Sequence, residues 1–316
     1  MFSAANVFAQ GSLIDPEYMS KLDAFKSENK GFTENIPSSY SLRKWTPIPK
    51  NQEGGTCVGW GTAYASLSTQ YNVKYNITNP VIKQATAFDP YFLYHLFKMD
   101  GDYDCSQGTY VVSAILSLID NGDKRQLAPE VLVCEKGMTE TTLNKSLSYA
   151  MPFRITDAYV LDVTNPEWIN TAKLLVTNGY PVVINVGFSE GMFTESVKKH
   201  GMSSGLWEWN PSMATDIGGH CMGIIGFDDK KYGGSFEIMN SWGTGVGDGG
   251  YVYIKYADAS QFILEAYGIE LGDTKTEKGC QFGDCNDKYS RFMFDNGEVY
   301  EGELKGQYMH GWGTWT

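Results

Sequence analysis

The stretch Gln52-Glu53-Gly54-Gly55-Thr56-Cys57-Val58-Gly59-Trp60-Gly61-Thr62-Ala63-Tyr64-Ala65 decides how the rest of the chain is read. Beyond Cys57 the large side chains recur at Trp60, Tyr64, Leu67 and Tyr71, the spacing of one helix face. Gly54 and Gly55 permit a sharp turn before it, and Thr56 suits an N-cap. Cys57 is therefore expected on the first turn of a buried helix that runs to about Asn72. Free backbone N–H groups and the positive end of the dipole there favour a thiolate, the reactive form of cysteine. A lone cysteine on a core helix is ordinarily just a small apolar residue, so a catalytic reading needs a base from elsewhere in the chain.

Four histidines are available. His95 falls in an aromatic helix, His200 at a basic helix end and His310 near the C-terminus. His220 differs, because it follows Gly218-Gly219 and opens an apolar strand. Twenty residues further on comes Asn240-Ser241-Trp242-Gly243 at the end of another strand. An asparagine accepting from one imidazole N–H fixes the tautomer and turns the other nitrogen toward a thiol. A tryptophan beside that bond keeps water off it.

The 316 residues suffice for one large domain plus a small one, and 42% hydrophobic with 20% charged residues is a folded composition. A net charge of −12 argues against nucleic acid as the main partner. No apolar run has the length of a membrane span. Residues 1–10 end in Val7-Phe8-Ala9 before Gln10, like the tail of a secretion signal, although no basic region precedes it. Location is accordingly expected to be secreted or periplasmic.

Residues 1–36 read as a signal remnant and a short polar arm. Pro37, Pro47 and Pro49 mark an extended entry to Gln52, and 76–90 reads as a loop. Helices are expected at 91–98 and 109–121, the latter stopped by Gly122, and after Asn165-Pro166 until Gly179. Strands are expected at 180–186, 220–227, 235–240, 250–256 and 266–271. Helices first and strands later make the fold α+β, with a cleft between the two parts as the natural site.

With Cys57, His220 and Asn240 in that order, the chain resembles the papain-like cysteine peptidases over roughly residues 37–271. The resemblance rests on 52–65, on 218–229, and on 236–256 with its Asn-Ser-Trp-Gly and Gly-Asp-Gly-Gly-Tyr segments. It implies a two-lobed fold, helical lobe plus antiparallel β lobe, over 37–272, and hydrolysis of peptide bonds through an acyl-enzyme with no cofactor and no metal. Cys57 would be the nucleophile, His220 the base and then the acid, and Asn240 the group orienting the imidazole. Gln52 would serve the oxyanion with the Cys57 N–H, while Trp242, Gly108 and Gly219 would border bound protein or peptide substrate. Gln52 stands five positions before the cysteine where the family usually has six, Val58 replaces a common tryptophan, and His220 comes later than usual, as if after an insertion. The resemblance also puts Cys105 and Cys134 where relatives often have disulfide partners, with two reduced thiols the equal alternative.

Other patterns compete. Gly187-Phe188-Ser189-Glu190-Gly191 fits G-x-S-x-G, and Asp216 with His220 would complete a serine hydrolase order. That leaves Cys57, Asn240 and Trp242 unexplained. A catalytically silent papain-like binding module is the alternative from another class. Gly245, Gly247 and Gly250 spell a dinucleotide fingerprint but precede a strand instead of a helix. Cys280 and Cys285 are half of a metal site at most, and a local disulfide or two plain thiols suits them better.

After a boundary at 272–278 the composition turns to glycine, aromatic and acidic residues. Residues 279–316, with the Asn296-Gly297 turn, Tyr300-Glu301-Gly302-Glu303 and His310-Gly311-Trp312-Gly313, resemble MORN repeats, small β-hairpin units. One and a half such units suggest part of a longer array. The resemblance implies protein or lipid contacts without choosing between them; a structural appendage is the alternative.

Overall fold

The computed structural model describes residues 11–13, 23–24, 32, 35–126, 134, 138–214, 217–272, 279–282, 285, 289–294, 298–306 and 308–315. Residues 1–10, the boundary stretch 273–278, Asp216 and the Asn296-Gly297 turn lie outside them, as does the side chain of Cys280. The fold is α+β, as the order of helical and apolar patterns implies.

Strands β1 (Ser12–Leu13), β2 (Asp23–Ala24), β3 (Ser39–Ser41), β4 (Thr109–Tyr110), β5 (Ile155–Leu161), β6 (Val182–Phe188), β7 (Leu206–Trp207), β8 (Gly218–Asp228), β9 (Ser235–Met239), β10 (Tyr251–Lys255) and β11 (Ile263–Leu271) form one 11-stranded sheet. Its main path is β2-β5-β11-β6-β8-β9-β10-β7, mostly antiparallel. All five expected strands are present within two or three residues of their anticipated ends. β5 was not anticipated, because its faces alternate too irregularly to read as period two.

The helix at Cys57 packs against this sheet. It starts α-helical at Cys57–Gly59, widens to a π-helix over Trp60–Leu67 and returns to α over Ser68–Lys74. The hydroxyls of Ser66 and Ser68 donate to carbonyls five residues back, at Gly61 and Ala63, which suits the wider turn. Trp60, Tyr64, Leu67 and Tyr71 are all buried, as their spacing requires. Thr56 does not cap it; its hydroxyl donates to the Glu53 carbonyl and closes the Gly54 turn instead. Gly61 permits the closest approach: a Cβ there would lie 2.6 Å from Cys221 Sγ and 2.8 Å from Met222 N. A side chain at position 61 would therefore force helix and β8 apart.

The other helices build the wall facing the sheet. Pro90–Phe97 is capped by Asp89, and Val111–Asp120 buries Val112, Ile115 and Leu118 and ends before Gly122. The stretch 76–90 is not all loop, since Asn79 caps a helix at Pro80–Ala85. That Asn-Pro pair carries the signal recognised at Asn165-Pro166, where the helix is Trp168–Thr177. Glu190–His200 is the helix whose basic end was read at His200, and Glu140–Ala150 is a further helix beyond those expected. No helix of the described residues is long and apolar enough to cross a membrane.

Strands β12 (Gly279–Phe282), β13 (Tyr289–Met293), β14 (Val299–Lys305) and β15 (Tyr308–Trp315) form a separate antiparallel sheet in sequence order. It is joined to the helical wall by a buried ion pair. Glu301 Oε1 accepts from Arg125 Nε at 2.6 Å, and Glu301 Oε2 accepts from Tyr71 Oη at 2.7 Å. The guanidinium is sandwiched among Tyr71, Phe88 and Phe153, about 4 Å from each ring centroid. Removing one member of such a pair strands a buried charge. Arg125→Met is expected to lower unfolding stability in urea by about 3 kcal/mol, and Arg125→Met with Glu301→Leu to recover part of it.

Candidate active site

Two strands and one helix start deliver the chemistry. β8 carries His220 near its beginning, and Asn240 follows β9 directly. The pairing of Gly223 with Met239 brings the start of β8 and the end of β9 side by side. His220 Nε2 and Asn240 Oδ1 are 2.8 Å apart. The same Oδ1 accepts the Ser241 backbone N–H at 2.7 Å, so it is the acceptor and the imidazole carries its proton on Nε2. Nδ1 is then the basic nitrogen, and it has no hydrogen-bond partner among the described residues. The Trp242 indole lies on the imidazole with centroids 4.7 Å apart and planes 22° apart, covering the bond to Asn240.

Behind Trp242 stand Phe188, Phe193 and Trp207 at 5.3 to 5.8 Å between centroids. Phe193 comes from the helix Glu190–His200 and Trp207 from β7, both within the long stretch that separates β6 from β8. The stretch between β6 and β8 thus buttresses the tryptophan stacked on His220. Ser189 begins that helix: its hydroxyl accepts the Met192 N–H and donates to the Met213 carbonyl, with 1% of the residue exposed. This capping role, and not a nucleophile, accounts for the G-x-S-x-G pattern.

Cys57 meets this arrangement from the helical side. It is fully buried, and backbone hydrogen bonds from Cys221, the residue after His220, and from Gly11 reach its sulfur. Burial pushes the thiol up to about 11, partly offset by those bonds. Burial likewise depresses His220 to about 4, with the Asn240 bond working the other way. Burial thus favours the neutral form of each of the two groups. Gln52 is anchored nearby, its Oε1 accepting from Ser241 Oγ at 2.6 Å and its Nε2 donating to the Gly54 carbonyl at 3.0 Å.

The burial has a specific source. β1, from the stretch read as a leader arm, runs between the two walls: Ser12 pairs parallel with Thr109 and antiparallel with Gly219. Gly11 N–H donates to the Gly219 carbonyl at 3.1 Å, and the Gly11 carbonyl accepts from Thr109 N–H at 2.8 Å. Gly108 and Gly219, singled out as cleft-bordering, both press on this strand. Only glycine fits at position 11, where a Cβ would lie 1.9 Å from the Gly55 carbonyl oxygen. Sequence reading missed this strand because two residues carry no periodicity.

Cys105 and Cys134 are both free thiols, in hydrogen-bond contact with each other, so the bridge implied by the resemblance is not formed here. Cys285, by contrast, is disulfide-bonded. Cys221 is a buried free thiol packed against Gly61. No group of metal-ligating side chains occurs among the described residues.

No family model matches the sequence, and no curated protein matches it. Solved structures do share its fold. Xylellain, a cysteine protease from Xylella fastidiosa, superposes with a TM-score of 0.63 at 16% identity, covering 85% of this chain and 97% of its own. Digestive procathepsin L 3 of Tenebrio molitor larval midgut gives 0.61 at 16% identity, covering 83% and 76% respectively. Bromelain from Ananas comosus, in complex with the E64 inhibitor, gives 0.52 at 19% identity over 75% of this chain and 100% of its own. The chain therefore has the papain-like fold of these cysteine proteases.

Because the buried imidazole titrates at about 4 against 6.5 for an unperturbed histidine, the unfolded state takes up the proton first as pH falls. The stability held in the neutral imidazole is complete above pH ~6.5 and is lost toward pH ~4, a loss of roughly 3 kcal/mol. Urea unfolding at pH 7 and pH 4 should show that loss in the parent chain beyond whatever His220→Gln loses over the same interval.

Proposed function

We propose that the chain is a cysteine peptidase that cleaves peptide bonds through Cys57, in the latent form captured here. The observation that carries this reading is the imidazole of His220, tied by Nε2 to Asn240 and roofed by Trp242, with no partner for its basic Nδ1 among the described residues and the Cys57 sulfur against the next residue's N–H. The structural likeness to cysteine proteases supports it.

In the working form, β1 leaves the cleft and an extended substrate takes its place. His220 Nδ1 takes the thiol proton, and the thiolate attacks the carbonyl carbon. The oxyanion forms beside the Cys57 N–H, with Gln52 Nε2 turning from the Gly54 carbonyl to meet it. The imidazolium, held in plane by Asn240, gives its proton to the leaving amine as the C–N bond breaks. Water then enters, His220 removes its proton, and the thioester is hydrolysed to free acid and thiol. Trp242 keeps bulk water from the Nε2–H bond throughout.

The peptidase unit in this reading is 37–272, and 279–316 is a MORN-type unit clamped to it through Glu301. The disulfide at Cys285 supports a secreted or periplasmic location, where such bonds persist.

A fluorogenic peptide-library assay with a thiol-directed epoxide tests the reading. Turnover and labelling should both vanish in Cys57→Ala, and kcat should fall roughly 10²-fold in Gln52→Ala. Loss of turnover in Ser189→Ala but not in Cys57→Ala would overturn it. Gly11→Val, which cannot seat β1, should raise the rate of epoxide labelling about tenfold or more, the effect of ~1.4 kcal/mol off the closed state.

A further inference from the structure

The far end of β8 borders a cavity that the Cys57 and His220 arrangement does not use. Asp228 closes that strand, which His220 opens, and extended backbone puts the two roughly 25 Å apart. At this end β3 pairs with one edge of β8 and β9 with the other, and β10 lies beyond β9. The registers set Ser41, Gly226, Glu237 and Tyr253 abreast, and beside them Ser39, Asp228 and Ser235. Alternate residues of a strand share a face, so both rows belong to one side of the sheet. A cavity of about 470 Å³ is lined by members of both rows and by Lys231, a size within the range of small-molecule sites.

The floor of this cavity is fixed by the protein itself. Gly226 gives the Glu237 carboxylate its seat, since a Cβ there would lie 2.6 Å from Oε2. Oε2 accepts from Ser41 Oγ at 2.5 Å, and Oε1 from Tyr253 Oη at 3.3 Å and Arg43 Nη1 at 3.4 Å. Two groups beside Glu237 are not satisfied in this way. Asp228 accepts the N–H groups of Lys230 and Lys231 on Oδ1, at 2.8 and 3.1 Å, and no group among the described residues reaches Oδ2. Ser235 stands opposite Asp228 in the register and is 1% exposed, yet its hydroxyl has no hydrogen-bond partner among the described residues. A buried hydroxyl without a partner is costly, so a ligand that supplies one is favoured.

Charge narrows the class of that ligand. Lys231 Nζ stands 3.5 Å from the centre of the Tyr253 ring and 4.0 Å from Asp248 Oδ2, at one side of the cavity. An entering cation meets Lys231, and an entering anion meets Asp228 and Glu237, so a full charge of either sign is opposed. None of the described lining residues is aliphatic, which counts against an apolar ligand. A neutral polyol meets neither objection. Each of its hydroxyls both donates and accepts, and the lining offers a carboxylate oxygen, serine hydroxyls and an ammonium.

We propose that this cavity binds a neutral saccharide of one or two sugar units. The proposal goes beyond the peptidase reading and does not depend on it. Asp228 Oδ2 accepts one sugar hydroxyl, Lys231 Nζ donates to a second, and Ser235 Oγ gains the partner it lacks. A sugar held here leaves the cleft at the other end of β8 free.

The test is titration calorimetry on the full chain with glucose, galactose, N-acetylglucosamine, cellobiose, lactose and chitobiose, beside arginine amide and citrate. At least one neutral sugar should bind with a Kd of about 1 mM or tighter, and the two charged probes at least tenfold more weakly. Asp228→Asn keeps the size of the side chain and should weaken sugar binding about tenfold or more, the loss expected for a hydrogen bond to a charged group. Ser39→Tyr, at an exposed strand position, should fill the cavity and abolish binding. Failure of every sugar to reach that affinity overturns the proposal, and so does tighter binding of arginine amide or citrate. Sugar affinity left unchanged in either variant that still folds, read from its urea unfolding midpoint, also overturns it.

Discussion

The meeting of the Cys57 helix with β8 is the constraint on which the rest of the structure depends. Two elements separated by more than half the chain touch at Gly61, where a hydrogen in place of a side chain lets Cys221 and Met222 reach the helix. That contact sets the Cys57 sulfur against the N–H of Cys221, the residue that follows His220 in the chain. The π-helical turn over Trp60–Leu67 belongs to the same contact, since it follows directly on the turn that carries Cys57. The chemistry is therefore set by backbone proximity first and by side-chain choice second.

The β lobe supplies the precision. His220 and Asn240 lie on neighbouring strands whose register leaves little freedom, and Trp242 is wedged between the imidazole and a cluster of aromatic rings. Part of that cluster comes from the long stretch between β6 and β8. That segment is therefore a support for the indole stacked on His220.

On the peptidase reading, latency and reactivity are two sides of one burial. β1 uses the backbone groups at Gly219 and Thr109, the same walls an extended substrate would use, and by covering the cleft it drives both Cys57 and His220 toward their neutral forms. An ion pair needs water or a polar substrate to replace the apolar cover. Removing the strand thus changes access and protonation together.

The order of helical and apolar patterns carried the α+β class in the sequence itself, and residues 52–65, 218–229 and 236–256 carried the candidates Cys57, His220 and Asn240. Local signals are strong there: periodic apolar positions, a glycine turn and side chains of a few reactive types. The β5 strand, the helix at Pro80–Ala85 and the true role of Thr56 were decided by packing, because their local patterns suit more than one outcome. Ser189 shows the opposite failure, a motif with the right letters whose hydroxyl the fold spends on a helix cap. Only the tertiary structure could lay β1 between Gly219 and Thr109, join Glu301 to Arg125 and bond Glu265 to Asn185. Each of these depends on residues distant in the chain arriving at one point, and a linear pattern holds no record of which strand lies beside which.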